Sequence, residues 1–288
     1  MNYGDAADSV DNPVRGSLFN KPTPIGVAGY DVNDGCKLSY TGEDVTAENF
    51  LAVLKGDSKT TGKTLSAPAE SSTKDDRVFV YFADHGGVGL VAMPSGDPVY
   101  AQDLMDTLRY MWSNFMYKEL VFYMEACESG SMFEGLLPSD VNIYATTAAN
   151  SEESSYGTYC GLESSVDGTI IGSCLGDLYS VNFLENSDIP SLFHTETLDS
   201  QFALLKNETS KSHVQKFGSR GMGMDPIDWF QGATHFPSVN VEYGDRAAEV
   251  AGIRYPKHGV DSRDIKLHVL HHQLTVATRY SIREATHL

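Results

Sequence analysis

The sequence of 288 residues contains no run of about eighteen apolar residues, the length that crosses a bilayer as a helix, so nothing in it reads as a membrane span. Positive charge is scarce: 21 Lys and Arg stand against 39 Asp and Glu, a formal net charge of −18 at pH 7. Such a surface repels polyanions, which excludes nucleic acid and anionic membrane as expected partners. It suits an acidic compartment, where carboxylates lose charge. Cysteine is sparse, and the four present fit neither a disulfide framework nor zinc-ligand spacing. Cys160 and Cys174 flank one loop and would pair in an oxidising lumen, whereas Cys127 reads as a free, separately placed thiol. The opening "MNYGDAADSV" lacks the basic-then-apolar layout of a signal peptide, so no targeting information is read from those residues.

What is present is enough apolar material, 41% of the residues, for one main domain with an appendage. A loop-rich start runs to about residue 42 and is followed by "EDVTAENFLAVLKGD", in which Ala47, Phe50, Leu51 and Leu54 share a helical face. Asp44 is placed to cap that helix and Gly56 to end it. The "GKT" in the polar stretch that follows resembles a phosphate loop only superficially, because no strand precedes it and the first glycine is misplaced.

Three apolar runs come next. "RVFVYFADHGG" and "ELVFYMEAC" read as strands buried on both faces, and "VNIYATTAA" as a third. Between the first two lies a helix with Leu104, Leu108, Met111, Trp112 and Phe115 at helical spacing, and between the last two a short helix in "SMFEGLL". The β-α-β-α-β order implies an α/β fold with a parallel sheet and right-handed crossovers, where ligands collect beyond the carboxyl ends of the strands. His85 closes the first run and Cys127 the second. A thiol and an imidazole so placed make a nucleophile and a general acid/base. The setting is odd for a thiolate, since Glu125 and Glu128 flank Cys127 and nearby carboxylates disfavour a second negative charge. In a strand, residues two apart share a face, so Glu125 shares the face of Cys127 and can line a pocket at its mouth.

The blocks "ADHGGVGLVAMP", "FYMEACESGSM", "YATTAANSEESSYG", "SYTGEDVTAENFLAVLKGD" and "LGDLYSVNF", in their order, resemble the legumain family, the asparaginyl endopeptidases among the caspase-like cysteine peptidases. The likeness runs from residue 1 to about residue 232. It implies a mostly parallel caspase-like sheet flanked by helices and cleavage after asparagine, or after aspartate in acid, through an acyl-enzyme on Cys127 with His85 as proton carrier. Peptide ligation is a side activity of the family. The resemblance also implies an asparagine pocket of Glu125, Ser155 and Asp177. A side-chain amide offers two donor hydrogens and one acceptor oxygen, which carboxylates and a donor would meet. Gly86 and Cys127 offer backbone N–H groups to an oxyanion, and Asp84 matches an aspartate that closes to a succinimide. No cofactor and no metal is implied. The family's pocket arginine and its first strand and helix fall upstream of anything matching Met1, so the chain is expected to begin after them.

From residue 233 to 288 the sequence reads as a linker and helix, resembling the start of the family's activation and prodomain region. Leu267, Leu270 and Leu274 share a face there. His268 and His272 stand one turn apart without a third ligand, so acid protonation is favoured over a metal. The "NET" at Asn207 is a glycosylation acceptor pattern. Protein or peptide substrates, a monomeric state, inhibition by a prodomain or cystatin-type protein, and a lysosomal, vacuolar or secreted location are the remaining expectations. Two rivals stay open: a transamidase of the same clan, of the type that attaches lipid anchors, and an inactive binding module.

Overall fold

A computed structural model describes residue 1 and residues 5–10, 12–57, 72–189, 195–232 and 257–286. The "GKT" segment and most of the expected linker lie outside the described residues. In chain order the elements that build the site are α1 (Ala47–Leu54), β1 (Arg77–Ala83), β2 (Gly86–Gly87), β3 (Leu90–Val91), β4 (Val99–Tyr100) and α2 (Ala101–Ser113). Then come β5 (Glu119–Glu125), β6 (Ile143–Thr147), β7 (Tyr156–Cys160), β8 (Cys174–Asp177), α3 (Leu178–Ser187) and α4 (Leu198–Glu208). The last are β9 (Gln215–Gly218), α5 (Asp228–Gln231), β10 (Val260–Asp261) and α6 (Ile265–Thr286).

The main sheet runs β1-β5-β6-β9, with β1, β5 and β6 parallel and β9 antiparallel to β6. This is the mostly parallel, helix-flanked α/β arrangement that the apolar runs imply. One face packs Val80, Phe82, Phe122 and Met124 against Leu54 of α1 and Leu104, Leu108 and Met111 of α2. The other packs Val121, Tyr123 and Tyr144 against Tyr179 and Phe183 of α3 and Leu198 and Leu205 of α4. Burying each large side chain fully contributes about 1.5–3 kcal/mol, so the two cores hold β5 as the rigid centre of three layers. No described helix is long and apolar enough to cross a membrane.

Several local expectations need correction. β1 is not buried on both faces: Val80 and Phe82 are buried, but Tyr81 is 40% exposed. The cause is its place at the sheet edge, where β5 is its strand partner among the described residues. Thr46, not Asp44, caps α1, its hydroxyl accepting from Asn49 N at 3.2 Å, because Asp44 belongs to a preceding 3-10 turn. Gly56 follows the helix in the left-handed region (φ 65°). Phe115 lies past the end of α2 at φ 55° and is 71% exposed, so it leaves the apolar face. The crossover after β5 carries a 3-10 turn at Ser129–Met132 in place of the expected short α-helix.

A second sheet, β8-β7-β10, stands beside the carboxyl ends of the parallel strands. Its β7 and β8 are joined by a disulfide between Cys160 and Cys174, which face each other in register. The pairing left open in the sequence is therefore made, while Cys127 and Cys36 remain free.

Candidate active site

Parallel pairing fixes the first relation. Ala83 lies opposite Glu125, and the ladder continues past the strand ends as Asp84 N donates to Glu125 O at 3.2 Å. Extending the register by one more pleat sets His85 beside Cys127. The next residue, Gly86, is so close that a Cβ there would collide with the Cys127 carbonyl. β2, β3 and β4 then fold back as a small antiparallel sheet that fixes the direction in which the chain leaves His85. His85 is exposed, whereas Cys127 is 1% exposed.

The thiol is held by the segment that leads into β7. Ser155 N donates to Cys127 Sγ at 3.3 Å, and the Ser155 hydroxyl lies 3.7 Å from the same sulfur. That segment is itself anchored by Glu153. Its carbonyl accepts from Glu128 N at 2.7 Å, and its carboxylate accepts from Asn150 N at 2.8 Å and His213 N at 2.6 Å, with His213 Nδ1 2.8 Å from the second oxygen.

The acids around Cys127 point in different directions. Glu125 is 2% exposed, and its Oε2 accepts from Ser180 N at 2.9 Å and Ser180 Oγ at 2.8 Å. Its Oε1 is buried without a hydrogen-bond partner among the described residues. Asp177 ends β8, opposite Gly157 of β7. Burial holds the Glu125 carboxyl well above the usual range, and the nearby Asp177 charge adds to this. Burial likewise raises Asp177 to about 6, opposed by His85 and reinforced by Asp84. Asp84 is raised by burial against the pull of His85, whose N–H it accepts at 2.7 Å. Asp84 and Asp177 thus stand near the His85 imidazole and Glu125 near Asp177, while Ser155 holds the Cys127 thiol.

Glu128 turns the other way. Its backbone is left-handed (φ 47°), and its carboxylate pairs with Arg263 Nη2 at 2.6 Å. Arg263 follows β10, which lies antiparallel on β7 with Val260 opposite Gly157 and Asp261 opposite Tyr156. Ser262 N and Oγ donate to Ser155 O at 3.0 and 2.9 Å, and its hydroxyl lies 3.1 Å from Ser155 Oγ. Lys257 pairs with Glu185 at 2.7 Å, and His258 pairs with Glu163. The tail segment at residues 257–264 is therefore bound across the mouth that contains Cys127. Sequence reading assigned no role to Glu128, Arg263, Ser180 or Glu153; nothing in their local patterns distinguishes them from surface polar residues.

The remaining sequence candidates lie apart from this cluster. Asn207 is exposed on α4, while the Thr209 hydroxyl of the same acceptor pattern is buried and accepts from Asn182 Nδ2 at 3.2 Å. His268 is exposed on α6, and the side chain of His272 lies outside the described residues. Among the described residues no group of three or more His, Cys, Asp or Glu is arranged to hold a metal.

The profile of the Peptidase C13 family matches residues 1–233. The chain is 43% identical over 274 residues to a hemoglobinase of Schistosoma mansoni, covering 95% of this chain and 58% of that protein. It is 45% identical over 235 residues to a legumain of Mus musculus, with 82% of this chain and 51% of that protein covered. A vacuolar-processing enzyme of Vicia sativa is 42% identical over 270 residues, covering 92% and 53% respectively. The chain spans little more than half the length of these relatives.

Proposed function

The chain belongs to the peptidase C13 family, and on that premise we propose that it is a cysteine endopeptidase cleaving after asparagine, with Cys127 as nucleophile and His85 as proton carrier. The observation that supports the reading is the parallel register ending at Ala83 opposite Glu125, with Gly86 packed against the Cys127 carbonyl, which brings the segments carrying His85 and Cys127 out side by side near a buried carboxyl with one uncommitted oxygen. His85 takes the thiol proton as sulfur attacks the peptide carbonyl, then delivers it to the departing amine. The N–H groups of Gly86 and Cys127 receive the oxyanion. Water releases the acyl group; an amine in its place gives ligation.

In this reading Glu125, Asp177 and Ser155 form the pocket for the cleaved residue. An asparagine amide meets their acceptors and leaves no charge to neutralise, whereas an apolar side chain leaves buried polar groups unpaired. Ionised aspartate is repelled, but the protonated acid is nearly isosteric with asparagine. Matched Asn and Asp peptides measured from about pH 4 to 8, a span covering reference carboxyl and imidazole titrations, test this. The Asp-to-Asn rate ratio falls as pH rises, and Cys127→Ser abolishes turnover of both while the protein stays folded. A flat or rising ratio removes the acids from the pocket; undiminished turnover by the variant removes Cys127 from the chemistry. A transamidase reading requires an amine acceptor and fails if water alone supports turnover. A binding-module reading fails with any turnover that depends on Cys127.

The tail is read as an activation segment that keeps the mouth closed. Its Lys257, His258 and Arg263 each meet a carboxylate of the core. Glu128→Gln weakens the last pair, and alkylation of Cys127 in the whole chain should then accelerate about fivefold, the equivalent of ~1 kcal/mol. An unchanged rate would mean that the tail does not shield the thiol. An acidic lysosomal or vacuolar setting fits the raised carboxyls, and Asn207, exposed on α4, is then a candidate for glycosylation.

A further inference from the structure

α3 begins in an unusual manner. Asp177 occupies its N-cap position in extended backbone (φ −104°, ψ 145°), yet its side chain makes no cap hydrogen bond. An aspartate there ordinarily accepts the N–H of the second or third helical residue. That N–H, on Ser180, is taken by Glu125 Oε2 from the end of β5. The cap is thus supplied across 55 residues of chain by a carboxylate of another element, and Asp177 is released from capping.

The same oxygen receives a second donor. Ser180 Oγ donates to Glu125 Oε2 at 2.8 Å and itself accepts from the Tyr81 hydroxyl at 2.8 Å. Tyr81 is steadied by Phe183, one turn further along α3, their rings 5.2 Å apart. Each hydroxyl proton is therefore committed in one direction, from Tyr81 to Ser180 to Glu125. A carboxylate oxygen has two lone pairs, and on Oε2 both are engaged. All remaining capacity of Glu125, to accept or to carry a proton, resides on Oε1, which is buried and unpartnered.

We propose that Ser180, steadied by Tyr81, is a positioning residue for substrate selection: by fixing Oε2 it makes Oε1 the atom with which Glu125 reads the side-chain amide of the residue to be cleaved. The proposal rests on the asparagine-pocket reading above. Ionised, Oε1 accepts from the amide NH2; protonated, it donates to the amide oxygen, leaving the NH2 for Asp177. Without the Ser180 hydroxyl the carboxyl is held by one backbone N–H and turns, so either oxygen reaches the pocket and the amide is met less often in the right geometry.

The test uses as parent the whole chain carrying Arg263→Glu, which replaces the Arg263–Glu128 ion pair by like-charge repulsion and so loosens the tail over the mouth. Steady-state kinetics compare Asn and Ala at the cleaved position in otherwise identical peptides. Ser180→Ala should lower the Asn-to-Ala ratio of kcat/KM about tenfold, the effect of one hydrogen bond to a charged group, through a higher KM for the Asn peptide. The Ala peptide should be cleaved as by the parent. Ser180→Thr, which keeps the hydroxyl, should restore the ratio, and Tyr81→Phe should lower it by less. A general loosening of the fold would slow both peptides alike and would not be rescued by Thr. An unchanged ratio in Ser180→Ala overturns the role of Ser180 alone, whereas a parent without preference for Asn overturns the pocket reading and this proposal with it. If Ser180→Ala does not fold, Tyr81→Phe decides: a ratio equal to the parent's overturns the proposal.

Discussion

The apparent contradiction of a proposed nucleophilic thiol flanked by acids resolves residue by residue. Burial raises the proton affinity of Glu125 and so removes negative charge from the neighbourhood of Cys127, while Glu128, buried and left-handed in backbone, is neutralised by Arg263. Gly86 is the tightest single constraint. Its φ is not in the left-handed region; glycine is required there because a Cβ would strike the Cys127 carbonyl and crowd the Ala126 side chain at 2.9 Å. Gly86→Ala should therefore push the Cys127 backbone aside and, with Cys127 as the proposed nucleophile, lower turnover about 100-fold, the cost of a misplacement near 1 Å. Circular dichroism on the same sample should show an intact fold, and a variant with parental turnover would mean that the contact is easily relieved.

Among the elements, the β7-β8 pair governs the proposed pocket. β7 leads out of Ser155 and β8 ends on Asp177, so their separation sets the distance between two walls of the proposed pocket. The Cys160–Cys174 disulfide closes the connecting loop, a sequence separation of 14. Removing it by Cys160→Ala with Cys174→Ala frees a loop whose closure is worth about 3 kcal/mol on the chain-entropy account. The midpoint of denaturant unfolding should drop accordingly, and discrimination between Asn and Ala peptides should weaken as Asp177 loosens. Unchanged discrimination at the lower stability would confine the bridge to a structural role. The bridge also shows how little cysteine spacing conveys: the two residues flank a loop in sequence, but only the antiparallel register makes them face each other.

For the whole molecule, the raised carboxyls set the direction of the pH dependence. Asp177 titrates at about 6 in the folded chain against a reference of 3.8, so between those values the folded state holds a proton that the unfolded state has released. Stability therefore falls as pH rises through about 6. Asp84 and Glu125 act in the same sense, and the net charge of −18 adds self-repulsion at neutral pH. Glu153 and Asp199 are lowered by their hydrogen bonds and ion pairs, so their stabilisation is lost on the acid side, below about 4.5. Thermal unfolding of the whole chain should accordingly give a higher Tm at about pH 5.5 than at 7.5, with a decline below about 4. A Tm that climbs steadily to neutral pH would contradict the burial of these acids.

The parallel strands, the two helices that cover one face and the placement of His85 and Cys127 at strand ends were legible in the sequence because they depend on local periodicity and on turn-forming residues next to apolar runs. The family resemblance implied Glu125, Ser155 and Asp177 as a set. Other features depended on three dimensions. β1 reads as buried on both faces, but among the described residues it has a strand partner on one side only and Tyr81 is exposed, since neighbours, not composition, cover a strand. Asp44 reads as a cap, yet Thr46 takes the role because the chain turns one step later. Glu128 had no partner in its own stretch, and Arg263 stands 135 residues away. Ser180 looks like an ordinary helical serine until folding brings Glu125 and Tyr81, 55 and 99 residues distant, to its two sides. Element type follows from interactions along a few turns of chain, whereas which oxygen of a carboxyl is free follows from packing between distant segments, and only the tertiary structure decides that.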